Sequence, residues 1–189
     1  AARRVDAPAA PCDGGRRDWY DVVLFYTMLL ETPTGEGAWF EAPVKGAIES
    51  LGDMEQGVFL LHHSIVAFPE WDLWHELVGI PDYDFKTYHV PEQPTIHVER
   101  PEHPIARGLA DWQMTDETYE MAEPKEADGN EVLLTFEHPR SMRACAWTRQ
   151  HKNARVFCLQ SGHDHQAYDH PSFRKLVTQA IGWCARREG

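Results

Sequence analysis

The sequence predicts an α/β domain built on a parallel sheet, and three observations carry that expectation. Continuous apolar runs stand at "DVVLFYTM" (21–28), "GVFLLH" (57–62) and "RVFCLQ" (155–160). Runs of this kind mark strands buried on both faces, as parallel strands are. Apolar stripes of helical period follow each run, and strand and helix alternate through the first half of the chain.

The elements follow in order. After the first run, Phe40, Val44, Ile48 and Leu51 recur at helical spacing, and Gly52 is the stop signal. After the second, Trp74, Leu77 and Val78 predict a short helix that closes at Gly79. "PTIHVE" (94–99) alternates, with Ile96 and Val98 on one face and His97 and Glu99 on the other, which reads as a half-exposed strand. "RPEHPIARGL" is loop-like. "EVLLTF" and "RACAWT" are short strands, and "QHKNA" is the turn before the last buried run. Phe173, Leu176, Val177, Ala180, Ile181 and Cys184 trace one stripe of a closing helix, with Pro171 in its first turn.

No repeat, low-complexity tract or linker interrupts this order, so one domain spans 1–189, with 1–17 as an irregular N-terminal segment. "AARRVDAPAAPCDGG" is too polar and Pro-rich to supply the opening central strand of a doubly wound sheet. Arg3 to Asp6 could form at most a short edge strand.

Composition narrows the function. The net charge of −12 argues against nucleic acid and anionic membrane partners, which need a concentrated excess of Lys and Arg. No apolar run approaches the roughly 18 residues that span a bilayer. The first residues lack the apolar core of a signal peptide. Cys12, Cys145, Cys158 and Cys184 form no CxxC pair. A reducing, cytoplasmic setting is therefore expected. Whether the chain forms a homo-oligomer is left open.

The chemistry concentrates at two turns. His62, His63 and Ser64 follow the second buried run; His163, Asp164 and His165 follow the last. Ligands of open α/β sheets bind beyond the carboxyl ends of the strands. Two parallel strands would bring both turns to one edge, although they lie about a hundred positions apart in the chain. Asp116 and Glu117 in "MTDETYEM" are expected to add carboxylates to the same rim, and His89 is a looser candidate. His97, His138, His151 and His170 are read as ordinary surface or packing residues. Histidine moves protons near neutral pH or binds metal, and a carboxylate orients it or completes a metal shell. His62 and His63 on an extended segment would point to opposite faces, so only one is expected to reach the site. Ser64 lacks the flanking glycines of a nucleophile elbow.

Four stretches, "YDVVLFYTM", "GVFLLHHSIVAFPEW…ELVG", "HPIARGLADWQMTDETYEM" and "ACAWTRQHKNARVFCLQSGHD…FRKLVTQAIGW", span most of the chain. In order and spacing the sequence resembles the ThuA-like (trehalose utilisation) family, a branch of the class I glutamine amidotransferase-like superfamily. The resemblance implies a flavodoxin-like, three-layer α/β/α sandwich with a mostly parallel sheet, here lacking the family's opening strand and its glycine- and histidine-bearing turn. It implies that His62 stands where amidotransferases carry their nucleophilic Cys, and that His163 resembles their triad histidine. Glutaminase chemistry needs the thiolate and is not expected.

The expected function is carbohydrate metabolism, on a disaccharide or keto-sugar, with a sugar-type small molecule as the partner. His62, His163, Glu117 and Asp164 are the expected catalytic residues. His63, Asp116, His165 and His89 are expected to bind substrate. If a divalent metal such as Zn is used, His62, Glu117 and His163 are its expected ligands. A non-catalytic module binding a small molecule or metal on the same rim is the alternative.

Overall fold

The computed structural model describes residues 19–37 and 41–187. The expectation about the opening strand concerns residues outside that range. β1 (Val22–Phe25) leads to α1 (Glu41–Glu49), then to β2 (Gly57–Leu61) and a 3-10 turn over His62–Val66. α2 (Asp72–Val78) ends at Gly79 in left-handed backbone. β3 (Thr87–Glu92), β4 (Thr95–Val98), β5 (Trp112–Gln113) and β6 (Asp116–Glu120) are short. β7 (Asn130–Glu137), β8 (Ala144–His151) and β9 (Ala154–Leu159) are longer, and α3 (His165–Asp169) and α4 (Pro171–Cys184) close the fold. No helix among the described residues is long and apolar enough to cross a membrane.

The main sheet runs β1-β2-β9-β8-β7-β4-β5, and a separate ribbon pairs β3 with β6. Only β1, β2 and β9 are mutually parallel; the four remaining ladders of the main sheet are antiparallel. The α/β class therefore holds, but the expected mostly parallel sheet is corrected to a mostly antiparallel one. The cause is loop length. His151 pairs directly with Ala154 across the turn formed by Lys152 and Asn153. A parallel crossover needs about a dozen residues or more, so a connection this short forces a hairpin. The apolar strands of the second half are buried on both faces for the same reason as parallel ones: both faces are covered.

Alternation along the central strands separates two cores. Val58, Leu60, Val156 and Cys158 face Ile48 of α1 and Trp74, Leu77 and Val78 of α2. Phe59, Leu61, Phe157 and Leu159 face Phe173, Leu176 and Ala180 of α4. Helices thus cover both faces, and each fully buried large apolar side chain contributes about 1.5–3 kcal/mol relative to exposure. Gly57 begins β2 because α4 ends against it: a Cβ there would lie 2.3 Å from the Cys184 carbonyl oxygen. Two buried tryptophans donate to backbone carbonyls, Trp74 to Ser64 and Trp147 to Val78, each at 2.8 Å.

Candidate functional site

β2 and β9 are adjacent and parallel, with Leu61 level with Leu159. Their following turns therefore leave the sheet at the same edge. His62 sits at φ 52, in the left-handed region that a side chain bearing a Cβ rarely adopts. This twist carries the chain at once into the 3-10 turn, so His62 and His63 do not diverge as they would on a strand. Their rings approach to 4.2 Å between centroids, which corrects the expectation that only one would reach the site. Ser64 anchors the turn instead of acting on a ligand: its Oγ accepts from Thr27 N–H at 2.8 Å.

The β9 turn is held by Asp116. Its carboxylate accepts from the backbone N–H of Gly162 and His163 at 3.0 Å each, from its neighbour Glu117 N–H at 2.9 Å, and from the Ser161 hydroxyl. Gly162 has φ 121, and a Cβ there would press on Leu61 and Phe173 at 3.0–3.2 Å. Tyr168 OH donates to the Gly162 carbonyl (2.8 Å) and Tyr26 OH to the His163 carbonyl (3.1 Å). The His163 backbone is therefore fixed from both sides.

β6 brings in the carboxylate. Glu117 Oε1 lies 3.4 Å from His62 Nε2, and Glu117 Oε2 lies 3.4 Å from His163 Nδ1. The two histidine nitrogens are 3.3 Å apart. His63 completes the group: one ligand atom from each of His62, His63, Glu117 and His163 lies within 4.8 Å of the others. His62 Nδ1–H donates to the Gln160 carbonyl at 2.6 Å, which turns Nε2 towards Glu117 and His163. His62 is fully buried and Glu117 nearly so, whereas His163 and His63 are partly open.

Electrostatics keep His63 neutral and Glu117 ionised at neutral pH. Burial, with repulsion from His62, lowers the His63 pKa to about 4, so its ring is neutral at neutral pH. Burial alone would raise the Glu117 carboxyl. Its hydrogen bond to His62 and the charges of His62 and His163 outweigh burial and leave the pKa below its ordinary value. The site can thus present the neutral His63 imidazole beside an ionised Glu117 carboxylate. The group opens on a cavity of about 300 Å³ bordered by His63, Glu117 and His163.

The remaining expected residues fall elsewhere. Asp116 lies beside the cluster but spends both oxygens on the turn that carries His163. Asp164 caps α3, accepting from Gln166 N–H at 2.8 Å, which lowers its pKa. His165 is exposed in the first turn of α3. His89 is on β3, its Nε2 3.3 Å from Glu120. Asp164, His165 and His89 do not join the cluster, because one helix cap and one strand register turn them away from it.

Three residues escaped the sequence reading. The Tyr119 ring stacks on His62 at 5.2 Å, with its hydroxyl 3.1 Å from Nε2, and Tyr26 stacks on it at 6.4 Å. Gln160 is the third. Besides holding His62 through its carbonyl, it accepts from Tyr119 N–H at 2.6 Å and donates to the Ala144 carbonyl at 2.8 Å, so it ties β6 to β8 and β9. A polar residue closing the buried run "RVFCLQ" was the available signal.

This arrangement can be set beside known proteins. No curated protein matches the chain in sequence. Among solved structures, a ThuA-like protein from Bacteroides uniformis superposes with a TM-score of 0.68 at 20% identity, over 87% of this chain and 69% of that one. A ThuA-like protein from Parabacteroides merdae gives 0.65 at 16% identity, over 89% and 71%. A cytoplasmic protein from Salmonella typhimurium gives 0.59 at 14% identity, over 95% and 76%. At these identities the superpositions speak for the fold. The ThuA family model, described as trehalose utilisation, matches residues 18–184. A match over nearly the whole chain, on a fold shared with ThuA-like structures, makes this protein a member of the ThuA family.

Proposed function

We propose that this protein is an enzyme of carbohydrate metabolism that acts on a disaccharide or keto-sugar. In this reading His62, Glu117 and His163 hold a divalent metal such as zinc, and His63 faces the substrate from the same cavity. The observation that carries it is the convergence of the donor atoms: the His62 and His163 nitrogens lie 3.3 Å apart, each has one of the two Glu117 oxygens at 3.4 Å, and one ligand atom from each of these residues and His63 lies within 4.8 Å of the others. Zinc bonded to nitrogen and oxygen at about 2.0–2.1 Å in a tetrahedron has ligand atoms about 3.3–3.4 Å apart. The donor chemistry fits as well: imidazole and carboxylate ligands, with a backbone carbonyl fixing the tautomer of His62.

A divalent ion in such a site supplies a polarised carbonyl or a bound water whose pKa falls towards about 7. The chain's own residues do the rest. His63 faces the substrate as a neutral imidazole able to hydrogen-bond it, and Glu117 is held ionised beside it. Tyr119 and Tyr26 restrict the His62 ring. Among the described residues, Cys145, Cys158 and Cys184 are buried and free, and none belongs to the cluster of His62, His63, Glu117 and His163.

The test is elemental analysis of protein purified without a histidine tag, beside the His163→Ala variant, followed by turnover on a panel of keto-sugars and glycosides. About one ion per chain is expected in the parent and a large loss in the variant. Metal absent from both, or held equally by both, would remove the metal from this reading. Sugar binding without turnover would replace the enzyme with a binding module.

A further inference from the structure

The cavity beside the cluster has two chemically different kinds of lining. His63, Glu117, Tyr119 and His163 bring polar groups to it. Met28, Val66, Phe85, Tyr88 and Val90 make up the rest, which is mostly apolar. Three of these, Met28, Tyr88 and Val90, are between 43 and 55% exposed, an uncommon state for large apolar side chains gathered at one cavity. Among the described residues no Lys or Arg lines it, and Glu117 is the only carboxylate that does.

These facts constrain the occupant. This narrows the substrate class proposed above: the second ring of a disaccharide would set several hydroxyls against Met28, Val66, Phe85 and Val90, whose side chains offer no hydrogen-bond partner, and each hydroxyl stripped of water without one is costly. With the sugar ring at the cluster, a phosphate on it would reach into the apolar lining, where no Lys or Arg among the described residues receives the charge. A volume near 300 Å³ is at the small end of the range for ligand pockets, room for one sugar ring and one further small group. From this we infer that the site takes an uncharged glycoside whose sugar faces the His–Glu cluster and whose other half is apolar, an aryl or alkyl group seated on Met28, Tyr88 and Val90.

The inference rests on the reading of the cluster as a sugar-acting site, and the experiment separates the two. Binding of methyl β-glucoside, phenyl β-glucoside, phenyl β-glucoside 6-phosphate and free phenol to the full chain is measured by calorimetry. The same series is run on Tyr88→Ala and Met28→Ser. Phenyl β-glucoside should bind roughly tenfold or more tighter than the methyl compound, since the ring buries apolar area that a methyl group does not. Its 6-phosphate should bind at least tenfold more weakly than the parent glycoside. In Tyr88→Ala and Met28→Ser the phenyl-to-methyl ratio should fall below about threefold. Equal affinity for the phenyl and methyl glycosides overturns the apolar half of the inference and leaves the sugar reading standing. Tighter binding of the 6-phosphate overturns the uncharged half. Binding of phenol with no glycoside bound overturns the sugar reading itself, and this inference with it.

Discussion

Asp116 and Glu117 are neighbours on β6, and their side chains serve different ends. Successive strand residues point to opposite sides, so Glu117 meets His62 and His163 while Asp116 turns to the backbone that carries His163. Asp116 is 2% exposed and satisfies N–H groups of Gly162 and His163 together with the Ser161 hydroxyl. Removing it would strand those donors in a buried setting. Asp116→Ala is therefore expected to lower stability by roughly 2–4 kcal/mol, as measured by urea unfolding, because a charged acceptor of several bonds is lost at once. A variant within 0.5 kcal/mol of the parent would show that water replaces the carboxylate and that the turn does not depend on it. Both carboxylates were legible in the sequence as a pair at the rim. Their division of labour was not, since it depends on which face of β6 looks at β9, and "MTDETYEM" reads locally as a solvated loop.

At the scale of elements, connection length and strand register decide what apolar composition alone cannot. "GVFLL" and "RVFCL" are legible as buried strands, and they are indeed parallel neighbours. "EVLLTF" and "RACAWT" are equally legible as strands, but their direction is set by the short turns between them, and the expectation of a mostly parallel sheet overlooked that constraint. His97 shows register acting on chemistry. On β4 it stands beside β7, and its ring meets Asp111 at 2.7 Å through Nδ1 and Glu137 at 3.4 Å through Nε2. Hydrogen bonds to Asp111 and then Glu137 raise its pKa above the ordinary 6.5. A raised histidine binds its proton more tightly in the folded state. Its contribution to stability is thus fully present below pH 6.5 and is lost as pH rises through the folded pKa. Exposure keeps that contribution small, so the suitable measurement is the NMR titration of the His97 ring. Its midpoint should lie above 6.5 and fall towards it in Asp111→Asn, which keeps the acceptor for Val98 N–H but removes the charge. A midpoint at or below 6.5 in the parent would mean that the pair does not form in solution.

At the scale of the whole molecule, the four clustered residues come from three separate segments: the turn after β2, strand β6 of the small ribbon, and the turn after β9. In the unfolded chain they are far apart, so an ion held by all of them binds the folded state alone. Such binding adds RT ln(1 + [L]/Kd) to stability, about 2.7 kcal/mol at a hundredfold excess of ligand over Kd. For a chain of this size about 1 kcal/mol moves the melting temperature by roughly 2–4 °C. Saturating zinc should therefore raise the melting temperature of chelator-treated protein by roughly 5–10 °C. The rise should be reversed by a chelator and much reduced in Glu117→Gln, which keeps the side-chain shape but removes the charge that favours a cation. The net charge of −12 supplies a competing explanation, because a cation can also stabilise an acidic surface without a specific site. Magnesium at the same concentration controls for it: it screens the surface as zinc does but prefers oxygen ligands in octahedral geometry. Equal shifts with zinc and magnesium, or a zinc shift that survives in Glu117→Gln, would assign the effect to the surface charge and withdraw the metal from the His62, Glu117 and His163 site.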